Sequence, residues 1–320
     1  MNPEMLKQML AQLGIIRADE QDRADSITAI LSAQLESVSS KTYDVKYPAL
    51  KAREMIPVDM SDDPGAETVS YQQWDEFGAA QYISNYADDF PMVTALAETF
   101  SSPVKSLGAG YQFTIQDLRR AAMAGASLTE RDARAARRAI EMGIELAAAT
   151  GGPGFTGLAN NVNVGIQAPI TGAWIATPAT GLQVIADIGT LIRTFNVGNV
   201  DIFPCDTLAM DSTLYNYCNT TLMSNTGDTT KTILTAIKEA FPQIRNIYAW
   251  PYLATADAAG TGPRIIAYAK DPDVLELKVP QDFEQFPPQQ RNMSFSVPCH
   301  ARTGGVVVRY PIAVRYMDGC

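Results

Sequence analysis

Residues 127–154 read SLTERDARAARRAIEMGIELAAATGGPG, the longest helical signal in the chain. Ser127 and Glu130 stand at capping-box spacing, with Ser127 as N-cap and Glu130 reaching back to its backbone. Gly151-Gly152-Pro153-Gly154 ends the helix. About 22 residues at a rise of about 1.5 Å make a strut roughly 33 Å long. At about 100° per residue Ala133, Ala136, Ile140, Ile144 and Ala147 share one face, and Arg131, Arg134 and Arg138 lie on the opposite one. Glu141 is spaced to pair with Arg137 or Arg138 along the flank.

Outward toward the N-terminus, Tyr111–Ile115 reads as a strand entering a helix over Gln116–Ala124 that stops at Gly125. Before it, Arg53–Met60 and Glu67–Phe77 read as two extended arms around the turn Ser61-Asp62-Asp63-Pro64-Gly65-Ala66. Asp62 and Asp63 supply the turn chemistry. Met55, Ile56, Val58, Val69, Tyr71 and Trp74 are too few to build a core between the arms, so this projecting hairpin is expected to order only against a neighbour. The first forty residues read as two short helices, the second with an apolar stripe at Ile27, Ile30, Leu31, Leu35 and Val38.

Toward the C-terminus, Thr177-Pro178 opens a helix whose apolar face is Leu182, Ile185, Ile188, Ile192 and Phe195. Strands over Val200–Phe203, Ile244–Leu253 and Arg264–Lys270 alternate with helices over Asp211–Asn219 and Thr229–Phe241. Residues 171–270 thus read as an α/β lobe of their own. Val274–Val279 leads into a Pro- and Gln-rich loop, Pro280–Gln290, and the chain closes on β segments Ser294–Pro298 and Gly305–Tyr316. The whole is an α+β chain.

Composition narrows the function classes. The 320 residues are 46% hydrophobic and 19% charged, an ordinary globular balance. No window approaches about 18 uninterrupted apolar residues, so no membrane span is expected. MNPEMLKQML has no apolar run followed by a cleavage site, so no secretory signal is expected either. A net charge of −10 confines any nucleic-acid contact to local patches. One such patch is Arg119–Arg138, with six Arg against Glu130 and Asp132, a local +4. Arg131, Arg134 and Arg138 are therefore candidates for weak, sequence-independent contact with DNA. Cys205, Cys218, Cys299 and Cys320 lack metal-ligand spacing and read as reduced thiols, with Cys320 expected to be exposed. The single histidine, His300, leaves little room for a triad hydrolase or a zinc enzyme, and no phosphate-loop, nucleophile-elbow or dinucleotide motif is present. No catalytic residue, cofactor or metal is expected.

Several segments, taken in order, resemble one family. They are Asn85-Tyr86-Ala87-Asp88-Asp89-Phe90-Pro91, Ser106–Phe113, Leu128–Ile140, Ala267–Val279, Phe286-Pro287-Pro288-Gln289-Gln290, and Ala301-Arg302-Thr303-Gly304-Gly305-Val306-Val307-Val308-Arg309-Tyr310-Pro311. The arm, projecting hairpin, long helix, inserted lobe and closing β block look like a tailed-phage major capsid protein with the Hong Kong 97-type fold.

That resemblance implies a structural subunit that self-assembles, as hexamers and pentamers, into the icosahedral head of a double-stranded DNA phage. It implies an N-terminal arm over 1–51, an extended loop over 52–80, a peripheral domain over 81–165 carrying the spine helix, an axial domain over 166–270, and a return to the peripheral domain over 271–320. Partners would be further copies, a separate scaffolding protein, a portal, decoration proteins and the packaged DNA; the location would be the virion, after assembly in the host cytoplasm. Some members weld neighbours through a Lys–Asn isopeptide bond from the extended loop. Arg53–Phe77 contains no lysine, so non-covalent locking is expected. The alternatives are an encapsulin-like cellular nanocompartment, distinguished by a cargo site and absence of internal DNA, and an enzyme of unrecognised type, distinguished by activity as a small oligomer.

Overall fold

The computed structural model describes residues 46–80, 82, 92–124, 128–176, 179–223 and 231–320. The chain divides into two units, Met1–Ala49 and Leu50–Cys320. The arm helices expected before residue 45, the cap at Ser127 and the Thr177-Pro178 start all lie outside the described residues.

The second unit is built on a long helix and a long strand pair. Strand β4 (Lys105–Thr114) runs antiparallel to β12 (Ser294–Thr303) through ten consecutive pairs, from Lys105 against Thr303 to Thr114 against Ser294. Short strands β10 (Gln281–Gln285) and β11 (Gln289–Arg291) complete the other edge of β12. The long helix, Leu128–Thr150, packs across β4 and β12. Of the expected face, Ala136, Ile140, Ile144 and Ala147 are buried and Ala133 is half-buried. Gly143 permits the close crossing, since a Cβ there would stand 3.3 Å from Leu107 Cδ1. Glu141 turns to Arg53 at 3.2 Å instead of Arg137, whose guanidinium lies over the Phe283 ring.

A second layer holds a five-stranded sheet in the order β5 (Gly165–Gln167), β14 (Val314–Asp318), β8 (Arg264–Tyr268), β6 (Thr207–Met210), β7 (Asn246–Ala249). All of β6 and β8 are buried, as expected of strands covered on both faces. Helices Gly181–Gly198, Ser212–Thr220 and Ile233–Ala240 accompany the sheet, capped by Thr180, Asp211 and Thr232. The first of these buries Ile188, Ile192 and Phe195 and leaves Leu182 exposed.

The structure corrects several expectations. Val200–Phe203 is a turn, not a strand, because Val200 and Asp201 take positive φ values of 52° and 56°. The Pro280–Gln290 segment supplies the two edge strands of β12. The last strand leaves the 271–320 block altogether: Val314–Asp318 pairs with Arg264–Tyr268 and Gly165–Gln167 in the second sheet. Cys320 is buried, as are the other three thiols.

The largest correction concerns the projecting hairpin. Ala52–Met55 is a short helix, and Val58–Asp59 (β1) pairs in parallel with Leu277–Lys278 of β9 (Leu275–Lys278), which in turn pairs with β13 (Gly305–Val308). The turn at Asp63 forms as expected: Asp63 Oδ1 accepts from the Gly65 N–H at 2.6 Å. It joins two elements that diverge. The second arm, Thr68–Phe77 (β2), pairs instead with Thr94–Pro103 (β3), across the segment 78–93.

Candidate assembly interface

Strands β2 and β3 form a ribbon of their own, antiparallel over ten pairs from Thr68–Pro103 to Phe77–Thr94. At about 3.4 Å per residue it is roughly 34 Å long. Side chains alternate between two faces. One presents Val69, Tyr71, Gln73, Asp75 and Phe77 beside Ser102, Phe100, Glu98, Leu96 and Thr94; the other presents Trp74 and Glu76 beside Ala97 and Ala95. Near the base the first face is half-buried at Val69 and Tyr71, where Tyr71 stacks on Phe100 at 5.4 Å and Arg309 lies 5.7 Å from the Tyr71 ring. Beyond that point every residue of Trp74–Phe77 and Thr94–Ser101 is exposed. Trp74, Phe77 and Leu96 show 64%, 54% and 58% of their surface, too much apolar area for a finished surface.

The base is clamped by charge. Lys278 Nζ, only 7% exposed, donates to Asp59 and lies 3.3 Å from Asp62 and 3.2 Å from Glu276; Glu276 also meets Arg309 at 2.6 Å. Burial works against ionised Asp59, but hydrogen bonds from Lys278 and Ser61 outweigh it and bring its pKa down to about 2. Burial likewise opposes the Lys278 charge, and its carboxylate partners overcome that and raise its pKa. Val104, where β3 turns into β4, is buried and donates its N–H to the Glu67 carbonyl at 2.8 Å.

The expected interface residues therefore separate. Val69, Tyr71 and Trp74 lie on the ribbon. Met55 and Ile56 are fully buried in the core, and Val58 is half-buried in β1. Asp62 faces Lys278 and Asp63 forms the turn. The residues missed are those of β3: Leu96, Glu98 and Phe100 on one face and Ala95, Ala97 and Thr99 on the other. Each face mixes apolar and polar residues, so no period-2 alternation marks the strand. Of the arginines, Arg131 and Arg134 are exposed and Arg138 is half-buried.

A buried carboxylate ties the long helix to its surroundings. Glu145, 3% exposed, accepts from the backbone N–H of Lys51 at 3.1 Å and of Ala52 at 2.8 Å, and from Trp250 Nε1 at 2.8 Å. It thus caps the helix Ala52–Met55 and anchors the 3-10 turn Pro251–Leu253. In the second layer, Asp187 does the same for the loop after β5, accepting from Ile170 N at 2.8 Å, from Trp174 Nε1 at 2.9 Å and from Thr171 Oγ1.

The four thiols are held in their protonated form. Burial pushes the Cys205 and Cys218 thiols up to about 12 and raises Cys299 and Cys320 as well. His300 sits within β12, paired across to Gly108 and Glu284. Among the described residues no group of three or more His, Cys, Asp and Glu could hold a metal, and no helix is long and apolar enough to cross a membrane.

A long helix crossing a long strand pair, an α/β layer and a bare two-stranded ribbon is the arrangement on which comparison with known proteins converges. The family model "Major capsid protein" matches residues 78–320. The chain belongs to the major capsid protein family. Among solved structures, the capsid of Myoviridae phage XM1 superposes with a TM-score of 0.80 at 19% identity, covering 90% of this chain and 98% of that one. Mycobacterium phage Bobi gives 0.62 at 13% identity over 91% and 97%. A virus-like particle from Pyrococcus furiosus gives 0.53 at 12% identity over 82% and 90%. Comparison with curated protein sequences gives no match. This major capsid protein is a structural subunit of a capsid, and its location is the virion shell.

Proposed function

We propose that this capsid subunit builds the closed icosahedral head of a tailed double-stranded DNA phage, with the ribbon as the element that reaches a neighbouring copy. The observation that carries the reading is the ribbon: ten paired residues per strand, no third strand or helix over the distal half among the described residues, and large apolar side chains left open. A lone two-stranded sheet is marginal in water, so its distal half orders against something outside the subunit.

In this reading the extended loop is 68–103, moved from 52–80 because β2 pairs with β3. The peripheral domain gathers the long helix with β4 and β9–β13. The axial domain is the five-stranded sheet with its helices and takes Val314–Asp318 with it. Residues 1–51 form the arm. Thr68–Pro103 holds no lysine, so the lock between copies is non-covalent and sensitive to denaturant. A separate scaffolding protein, a portal, decoration proteins and assembly in the host cytoplasm follow from the same reading.

The test is electron microscopy and sedimentation of the purified chain. Closed particles of megadalton mass, filled with DNA when made in the presence of the packaging machinery, are the expected result. A small soluble oligomer overturns the shell. Closed particles that enclose a cargo protein and never DNA identify a nanocompartment instead.

A further inference from the structure

The long helix turns one face to the core and leaves a second apolar ridge facing outward. Ala135, Ala139, Met142 and Leu146 recur at alternating helical spacings, so at about 100° per residue they fall within an arc of about 60°. The core stripe of Ala136, Ile140 and Ile144 lies about 120° round the helix from it. All four ridge residues are exposed, Met142 at 41% and Leu146 at 49%. A ridge of this spacing is the seam along which two helices pack. It is also graded: its N-terminal half is small, at Ala135 and Ala139, and its C-terminal half is large, at Met142 and Leu146.

We propose that the long helices of two copies pack antiparallel along this ridge, related by a two-fold axis, with Ala135 against Leu146 and Ala139 against Met142 of the second copy. This rests on the shell reading above. The reversed register sets a large side chain against a small one at every contact, the arrangement that fills space without strain. Each contact is made twice, because a two-fold axis brings the same patch to both sides. Parallel pairing would set alanine against alanine and hold those halves apart on Met142 and Leu146.

Charge favours the same orientation. Arg131 is exposed and forms no ion pair among the described residues. The antiparallel register brings it level with Thr150 of the second copy, at the C-terminal end of that helix, where the macrodipole favours a cation. Parallel pairing would set Arg131 beside Arg131. Two alanines, a methionine and a leucine per copy bury far less than the roughly 800 Å² per partner of a free-standing complex. The pairing therefore forms between copies already held in a shell, not as a dimer in solution.

The experiment is cysteine cross-linking in assembled particles of the full chain. The four native thiols are buried, so exposed engineered ones report alone. Ala135 and Leu146 stand about 16 Å apart along one helix, too far for a disulfide within a chain. On mild oxidation the Ala135→Cys/Leu146→Cys variant is expected to give at least about tenfold more covalent dimer than either single variant. Both bridges join the same two chains, so the product stops at the dimer. A ladder of longer products marks a head-to-tail contact, and abundant dimer from a single variant marks parallel helices; either result, or no covalent product, overturns the pairing. A second set needs no cysteine. Ala139→Met alone should lower closed-particle yield at least about threefold by overpacking, and adding Met142→Ala, which exchanges the two sizes, should restore it. Equal yields from these two variants overturn the pairing as well. Wild type runs alongside under electron microscopy: if it forms no particles, the shell reading fails and the pairing falls with it, whereas wild-type particles without the expected dimer refute the pairing alone.

Discussion

Replacing Glu145 with alanine tests whether the long helix is tied to its neighbours through one side chain. The carboxylate satisfies three donors, from Lys51 N, Ala52 N and Trp250 Nε1, and it is 3% exposed. Each buried donor left without a partner costs about 1–3 kcal/mol, and water entering the vacated space recovers part of that. The sum is about 3–5 kcal/mol, a large fraction of the roughly 5–15 kcal/mol that holds a typical domain together. Glutamine keeps one acceptor oxygen. It can serve Lys51 N and Trp250 Nε1, which share Oε1, while its amide nitrogen confronts Ala52 N. Glu145→Gln should therefore cost about 1–3 kcal/mol. Urea unfolding of the dissociated subunit, followed by tryptophan fluorescence and fitted with a common slope, measures both. Hydrogen exchange should speed up over 51–56 in the alanine variant, because the short helix loses its cap. A loss under about 1 kcal/mol for Glu145→Ala, with unchanged exchange over 51–56, would refute the reasoning.

Asp59→Asn should destabilise the subunit by roughly 2 kcal/mol at neutral pH, because the folded pKa near 2 lies below the ordinary 3.8. That contribution is present above about pH 4 and lost as pH falls through about 2, so wild-type and variant unfolding curves should converge across this window; a constant gap down to pH 2 would count against it. Trp74→Ala, at a site 64% exposed, should leave subunit stability within about 0.5 kcal/mol of wild type yet lower the yield of closed particles, and normal particles would remove Trp74 from the interface. Bridging Gln72 to Thr99, which pair across the ribbon, with a short Gly-Ser link deletes the distal half. The product should stay folded and soluble without closing shells, and closed shells from it would show that the ribbon is not the lock.

The elements legible in the sequence were those whose signal is local. The long helix shows its buried stripe at Ala136, Ile140 and Ile144 in its own periodicity, and the turn at Asp63 shows its chemistry in four residues. Pairings between distant segments were not legible. Met55, Ile56 and Val58 form an apolar cluster beside good turn residues, so they look like one arm of a hairpin; what removes them is Glu145, 93 residues away from Ala52 in sequence, which starts a helix there and sends the side chains into the core. The true partner strand, TALAETFSSP, has few large apolar residues and follows a 16-residue segment, 78–93, so neither composition nor spacing announces it. Val314–Asp318 reads correctly as a strand, but its alternation cannot say which of two sheets receives it. The arginine face was legible as a charge excess.

The same division explains why the subunit is rigid in one part and unfinished in another. Four buried polar groups hold parts of the subunit together: Glu145 between the long helix and the Trp250 turn, Asp187 under the loop after β5, Arg264 between Asp318 and the Ala159 carbonyl, and Lys278 at the base of the ribbon. Such groups fix geometry, because a shifted neighbour would leave a buried donor or charge unmatched. Beyond the Tyr71–Phe100 stack the ribbon has no such group among the described residues. Its backbone pairs, and Asp75, Glu76, Glu98, Trp74, Phe77 and Leu96 are exposed. In the proposed shell such a ribbon gains its order between copies and not within one. Contacts of that kind are individually weak and reversible, so a misplaced copy can leave, while closure multiplies the contact by the number of copies.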